Sequence, residues 1–237
     1  MNKKIRYVWE SIVGSALIVV AVTLSPLLRP WYSKWGTIGE EASRSLPGDD
    51  LVPHPRIEST CAIGIQAAAA AIWPWLIQIG YRRAGWYSYD LLERIVGAGN
   101  FVDGHSANRI ITKLQHLEVG DKIFMHPRIL GLSVAAIEPG LALVFHTRID
   151  MQTGDSFELG DAMPDKYVNS GWIFFVDELD EKNTRLIIRS RFDYEPSFIN
   201  LITWRVLTDP ISFVMERKML LGIKRRAESL APSSVKN

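Results

Sequence analysis

The sequence predicts an α+β protein, with one apolar N-terminal helix ahead of a domain of antiparallel strands closed by a long helix. Three observations predict it. Residues 11–28 (SIVGSALIVVAVTLSPLL) carry no charged side chain. From Val119 to Phe192 apolar and polar residues tend to alternate between turn residues, as in antiparallel strands with one buried face. Ile211, Met215, Met219, Ile223 and Ala227 then recur four apart, which is the apolar stripe of a helix.

The N-terminal helix comes first. From Ser11 to Leu28 the run measures about 27 Å as a helix, marginal against a hydrocarbon core of about 30 Å. Aromatic rings at both ends, Tyr7 and Trp9 before it and Trp31 and Tyr32 after it, suit the two headgroup levels and favour a transmembrane anchor. Pro26 lies near the far end, where lost backbone bonding is best tolerated. A cleaved signal peptide or a buried core helix are the rival readings. Lys3, Lys4 and Arg6 precede the run and Arg29 and Lys34 follow it. This bias puts the N-terminus in the cytoplasm and makes the protein single-pass, with an extracytoplasmic domain. Residues 1–31 are therefore expected as the anchor, and a chain beginning near Trp35 is expected to fold and stay soluble without it.

Residues 32–55 read as a mostly irregular linker, with Gly36, Gly39, Pro47, Gly48, Pro53 and Pro55 among them. Residues 56–230 are long enough for one domain with a sizeable core, and 231–237 are expected as a disordered tail. The domain opens with a strand at 56–65. The alanine run after it favours helix, and Pro74 should kink that helix. A short helix at 88–96 should stop at Gly97 and Gly99. One more helical piece is expected around 107–114, and a short strand at 121–125. Strands at 132–138 and 141–148 flank Pro139-Gly140, which suits a type II turn. After a polar excursion at 150–170, strands at 172–177 and 184–192 form a second hairpin. In the last strand Leu186, Ile188, Ser190 and Phe192 share one face, and Arg185, Ile187, Arg189 and Arg191 the other, expected to meet solvent. An apolar piece at 198–207 follows. Asp209-Pro210 then reads as an N-cap and first helical position of the terminal helix.

Composition sets limits on function. Lys and Arg number 27 and Asp and Glu 26, for a net charge of +1, which argues against a nucleic-acid partner. Lys224-Arg225-Arg226 reads as a solvated helix end. The single cysteine, Cys61, cannot form an intrachain disulfide. The five histidines, His54, His105, His116, His126 and His146, form no close metal-ligand spacing, so no metal is expected. Gly97-Ala98-Gly99 lacks the third glycine of a dinucleotide loop, no GxSxG is present, and no cofactor is expected. Asp90 and Glu93 are neighbours on a short helix and offer a weak acid–base pair, but surface solvation or capping is the simpler reading for both.

Candidate ligand-binding residues come from side-chain chemistry alone. Trp86, Tyr87 and Tyr89 are rings with polar tips, suited to a pocket mouth, although the simpler reading is that they plug the insertion onto the sheet. Phe145 and His146 lie in a predicted strand, and Met215 and Met219 on the terminal stripe. The catalytic residues of any enzyme reading stay unknown.

The segment IQAAAAAIWPWLIQIG with GWYSYDLLERIVG after it, and the closing FVMERKMLLGIKRRAE, resemble membrane-anchored bacterial members of the polyketide cyclase/START-like (SRPBCC) superfamily. The resemblance covers about residues 56–230. It implies a helix-grip fold, a curved antiparallel sheet around the long C-terminal helix with an apolar cavity between them. It also implies a lipid-like, sterol-like or polyketide-like ligand, and in some members cyclisation or dehydration. The aromatic insertion at 81–117 and the excursion at 150–170 depart from a minimal member. The expected function is thus a membrane-anchored binding module for a hydrophobic small molecule, touching the bilayer through Ser11 to Leu28. A cyclase- or dehydratase-type enzyme is the alternative, and a filled domain serving protein contacts a third reading.

Overall fold

The computed structural model describes residues 3–126, 131–157 and 161–230, so the tail at 231–237 lies outside the described residues. Two helices, α1 (Lys3–Thr23) and α2 (Ser25–Tyr32), lead into strand β1 (Ile57–Ile65). Helices α3 (Ala69–Ile77) and α4 (Asp90–Ile95) follow. Five more strands come next: β2 (Lys122–Ile123), β3 (Leu132–Glu138), β4 (Ala142–Asp150), β5 (Tyr167–Asp180) and β6 (Asn183–Tyr194). A short helix α5 (Phe198–Asn200) and a π-helical stretch, Leu201–Thr208, run into the terminal helix α6 (Asp209–Leu230). The six strands form one antiparallel sheet in the order β1-β6-β5-β4-β3-β2.

The local chemistry explains the main hairpins. At Pro139-Gly140 the Leu141 N–H donates to the Glu138 carbonyl at 2.9 Å, and Gly140 takes φ +78°, the left-handed value that a type II turn needs at its third position. At the tip of the β5–β6 hairpin the Asp180 carboxylate accepts from the Lys182 N–H at 2.8 Å. It also accepts from the Asn183 amide at 3.0 Å. These two strands run 14 and 12 residues, longer than their apolar cores suggested. Pro74 sits inside α3. At 107–114 only one 3-10 turn forms, Thr112–Leu114, since the segment is held by Gln78 and Arg83 instead of by a helical ladder.

One face of the sheet makes the main core. Leu143, Phe145, Trp172, Phe174, Leu186 and Ile188 meet Phe213, Met219, Leu220, Ile223 and Ala227 of α6. The opposite face corrects the expectation that the arginines of β6 meet solvent. Residues 32–55 are irregular but lie against that face, with Leu46 packed on Ala62, Val144, Ile173 and Ile187. Arg185 is 9% exposed and Arg189 2%. Arg185 grips Glu41 through Nε at 2.6 Å and Nη2 at 2.7 Å. Arg189 reaches Asp49 at 2.5 Å, Thr60 at 3.0 Å and the carbonyls of Glu41, Ala42 and Arg44. Buried guanidinium groups need this many acceptors, because each unpaired N–H would carry its full desolvation cost.

The N-terminal helices are also part of the packed structure. Among the described residues one helix, over Ile5–Thr23, is long and apolar enough to cross a membrane; a signal sequence or a core helix would pass the same test. Its seam at Ser11, Gly14 and Ala21 is buried, with Ser25 continuing it into α2. A Cβ at Gly14 would sit 2.8 Å from the Tyr89 ring, so glycine is what lets α1 approach. Glu10 pairs with Lys218 at 3.2 Å. Tyr32 is 1% exposed and stacks on Phe213 at 5.0 Å. A chain beginning near Trp35 would therefore uncover Tyr89, Leu92 and Phe213, apolar surface that the expectation of a separately soluble domain did not include. Asp209 is likewise not a free N-cap, because the π-helical stretch runs straight into α6. Its carboxylate instead accepts from Arg29 at 3.0 Å, Tyr32 at 3.0 Å and Arg205 at 3.2 Å.

Candidate functional site

Between the sheet and α6 lies a cavity of about 340 Å³. Ile211, Met215, Glu216 and Met219 of α6 form one wall, and Leu132, Trp172, Ser190 and Phe192 of the sheet form another. Leu92, Glu93 and Val96 come from α4 and the residue after it, Trp86 and Ser88 from the turn before it, and Ile18 from α1. The lining is apolar apart from two glutamates and three serines.

The turn before α4 sets this geometry. Tyr87 takes φ +58°, unusual for a residue with a Cβ and held here by its surroundings. Its N–H donates to Ser106 Oγ at 3.0 Å, and Ser106 donates in turn to Asp90 at 2.5 Å. The Tyr87 hydroxyl donates to the Trp75 carbonyl at 3.1 Å and accepts from Gln78 at 3.0 Å. Burial pushes this phenol well above its ordinary pKa. Gly222 of α6 allows the close approach, because a Cβ there would strike the Tyr87 carbonyl. Asp90 is thus neither a surface group nor half of an acid–base pair but the clamp that fixes the 106 loop to α4.

Glu93 is different. It is 4% exposed, and neither carboxylate oxygen has a hydrogen-bond partner among the described residues. Burial, with the Asp90 charge added, raises its pKa to about 8. Glu216 is 8% exposed and accepts from Ser190 Oγ at 2.6 Å. Burial raises it to about 7, against the help that Ser190 and the Trp172 indole give its charged form, while Asp209 raises it further. The Trp172 indole N–H faces Glu216 but makes no hydrogen bond of good geometry. Both carboxyls can therefore be neutral or charged near neutral pH, in an apolar setting where either state acts strongly on a bound group.

The candidates from the sequence fall in different places. Trp86, Met215 and Met219 line the cavity, Trp86 with its ring centroid 5.9 Å from that of Trp172. Tyr87 lies in the core beneath the Arg226 guanidinium, 4.6 Å from its ring centre. Tyr89 lies under α1, against Gly14, with the Lys218 ammonium 5.2 Å from its ring centre. Phe145 is 1% exposed and packs behind Trp172, 6.1 Å between ring centres. His146 belongs to the other face of the sheet, with Nε2 2.8 Å from Asn169 Oδ1, and burial lowers its pKa. Glu216, Ser190 and Trp172 were not singled out from the sequence, and Glu93 only as a surface group. The available signal was spacing. Glu93 falls four after Tyr89 and three before Val96, and Glu216 three before Met219, so each carboxylate shares a helix side with apolar residues.

No family model matches the chain, and no curated protein matches it. Among solved structures it is similar to a conserved protein from Geobacillus kaustophilus, with 11% identity over 73% of this chain and 96% of that one, at a TM-score of 0.39. It is similar to norcoclaurine synthase from Thalictrum flavum in complex with dopamine and hydroxybenzaldehyde, with 12% identity over 75% of this chain and 89% of that one, at 0.39. It is also similar to the Zhui aromatase/cyclase from Streptomyces sp. R1128, with 12% identity over 77% of this chain and 99% of that one, at 0.29. Similarity at this level carries nothing about activity, so the chemistry of this chain has to be argued from its own cavity.

Proposed function

We propose that this protein is a membrane-associated binding module that holds a hydrophobic small molecule, lipid-like or polyketide-like, between its sheet and its C-terminal helix. The cavity carries the reading. Its volume of about 340 Å³ and its apolar lining with few polar groups suit a ligand buried over most of its surface. A neutral environment-sensitive dye should bind the full-length protein saturably. Met219→Trp, which fills the space, should abolish that binding, and Trp86→Ala should weaken it more than it lowers stability. Purely non-saturable dye binding would overturn the reading.

In this reading α1 supplies the bilayer contact. Ile5, Val8, Trp9, Ile12, Val19 and Val20 face outward while Ile18 lines the cavity, so a ligand leaving lipid meets the cavity at once. Glu10–Lys218 at 3.2 Å and Arg29–Asp209 at 3.0 Å tie both ends of the α1–α2 pair to α6. These two pairs favour a helix lying along the membrane surface over one that crosses it with the domain beyond. A carbonate wash should leave the protein with the membrane. Cysteines introduced by Lys3→Cys and Lys34→Cys should label from the same side. Labelling from opposite sides would restore the single-pass anchor. Native Cys61, 1% exposed, gives little background.

An enzyme of the cyclase or dehydratase type is the second reading, favoured by the two titratable carboxyls in one cavity. One could donate a proton while the other accepts one. Turnover that is lost in both Glu93→Gln and Glu216→Gln, with dye binding kept, would select it.

A further inference from the structure

We infer that the cavity recognises an apolar molecule bearing a basic amine, with its ammonium group set against Glu93 in a cavity whose other acidic residue is Glu216. The inference rests on the ligand-binding reading of the same cavity and names the ligand's polar end. The two acidic side chains have no basic counterpart among the described lining residues, which include no lysine, arginine or histidine. The nearby cations of α6 are engaged elsewhere. Lys218 pairs with Glu10, and the Arg217 guanidinium lies 5.0 Å from the centre of the Trp35 ring.

Two of the three lining serines are already committed. Ser88 donates to the Met215 carbonyl at 3.0 Å, and Ser190 donates to Glu216. Both oxygens of Glu93 are buried and have no hydrogen-bond partner among the described residues, and the Asp90 charge that acts on it has the same sign. A buried carboxyl without a partner is costly, and an ammonium group would supply both donors and charge. A fatty-acid carboxylate would instead face two acids and no base. A neutral alcohol could donate one hydrogen bond but bring no charge. The apolar walls take the rest of the ligand.

The test compares three molecules of nearly equal shape: 4-phenylbutylamine, 4-phenylbutan-1-ol and 4-phenylbutanoate. Each displaces the neutral dye from the full-length protein in nanodiscs of uncharged phosphatidylcholine, with empty nanodiscs as the blank. The amine should displace the dye at about tenfold lower concentration than the alcohol or more, and the carboxylate should be the weakest. Glu93→Gln should remove most of that preference while leaving the alcohol within about twofold. Glu216→Gln should reduce the preference in the same direction. Dye binding with the carboxylate equal to or stronger than the amine overturns the inference but not the binding module. So does an amine preference that survives both substitutions. Absence of saturable dye binding overturns both together.

Discussion

Replacing Glu93 by Gln removes a titratable group whose burial is uncompensated, and the size of the effect follows from the structure. The carboxyl is 4% exposed, has no hydrogen-bond partner among the described residues, and has its pKa raised from 4.5 to about 8 by burial first and Asp90 second. The folded state therefore holds a proton that the unfolded chain has already released between these two values. Stability must fall as the pH rises through that window, being greatest below about 4.5 and fully reduced above about 8. At about 1.36 kcal/mol per unit, the loss attributable to Glu93 between pH 5 and pH 9 is about 4 kcal/mol. Glutamine keeps the shape and cannot ionise. Urea unfolding of the wild type and Glu93→Gln, followed by tryptophan fluorescence across that range, should show a falling curve that the substitution flattens by about this amount. Glu216, raised to about 7, leaves a residual fall of the same sign over the narrower window from 4.5 to about 7. Identical pH dependence in the two proteins would refute the placement of Glu93 in a dry cavity.

Two further outcomes probe the packing. Met219→Ala should cost about 2–5 kcal/mol, because Met219 is 4% exposed between α6 and the sheet, whereas exposed Arg225→Ala should stay within about 0.5 kcal/mol. Lys224 is no substitute for that control, since its ammonium donates to the Gly64 carbonyl at 2.5 Å and pairs with Glu228 at 3.0 Å. Glu41→Gln should cost about 3–5 kcal/mol in urea melts, since it leaves Arg185 buried with half of its grip lost. A change below about 1 kcal/mol would show the pair to be hydrated. Burial raises the Glu41 pKa, and Arg185 together with the Ile38 N–H and Arg44 more than reverses this, so its net shift is downward. The stabilisation should thus hold above about pH 4.5 and fade as the pH falls through the folded value.

Several elements were legible because their causes are local. Pro139-Gly140 fixes a turn whatever surrounds it. The alternation from Leu186 to Phe192 fixes which residues share a face, and the spacing of Met215, Met219 and Ile223 fixes a helix face. The same local signals could not say what each face would meet. Arg185 and Arg189 read as solvated because arginine usually is; the acceptors that bury them come from residues 36–49, some 140 residues earlier in the chain. Asp209 read as a cap because its neighbours in sequence are Thr208 and Pro210. Its partner Arg205 is four residues away, but its other two partners, Arg29 and Tyr32, are invisible to a local reading. Glu93 read as a surface charge for the same reason.

By itself the sequence determined an α+β chain with one apolar N-terminal helix, four of its strands paired as two hairpins, and a terminal helix with a continuous apolar stripe. Each of these follows from residue periodicity, turn chemistry and composition, which act over a few residues. Only the tertiary structure decided that α1 packs against α6, that residues 32–55 cover the arginine face, and that Glu93 and Glu216 share one apolar cavity. Those outcomes depend on which distant surfaces come together, and the burial that raises both carboxyl pKa values exists only once they have.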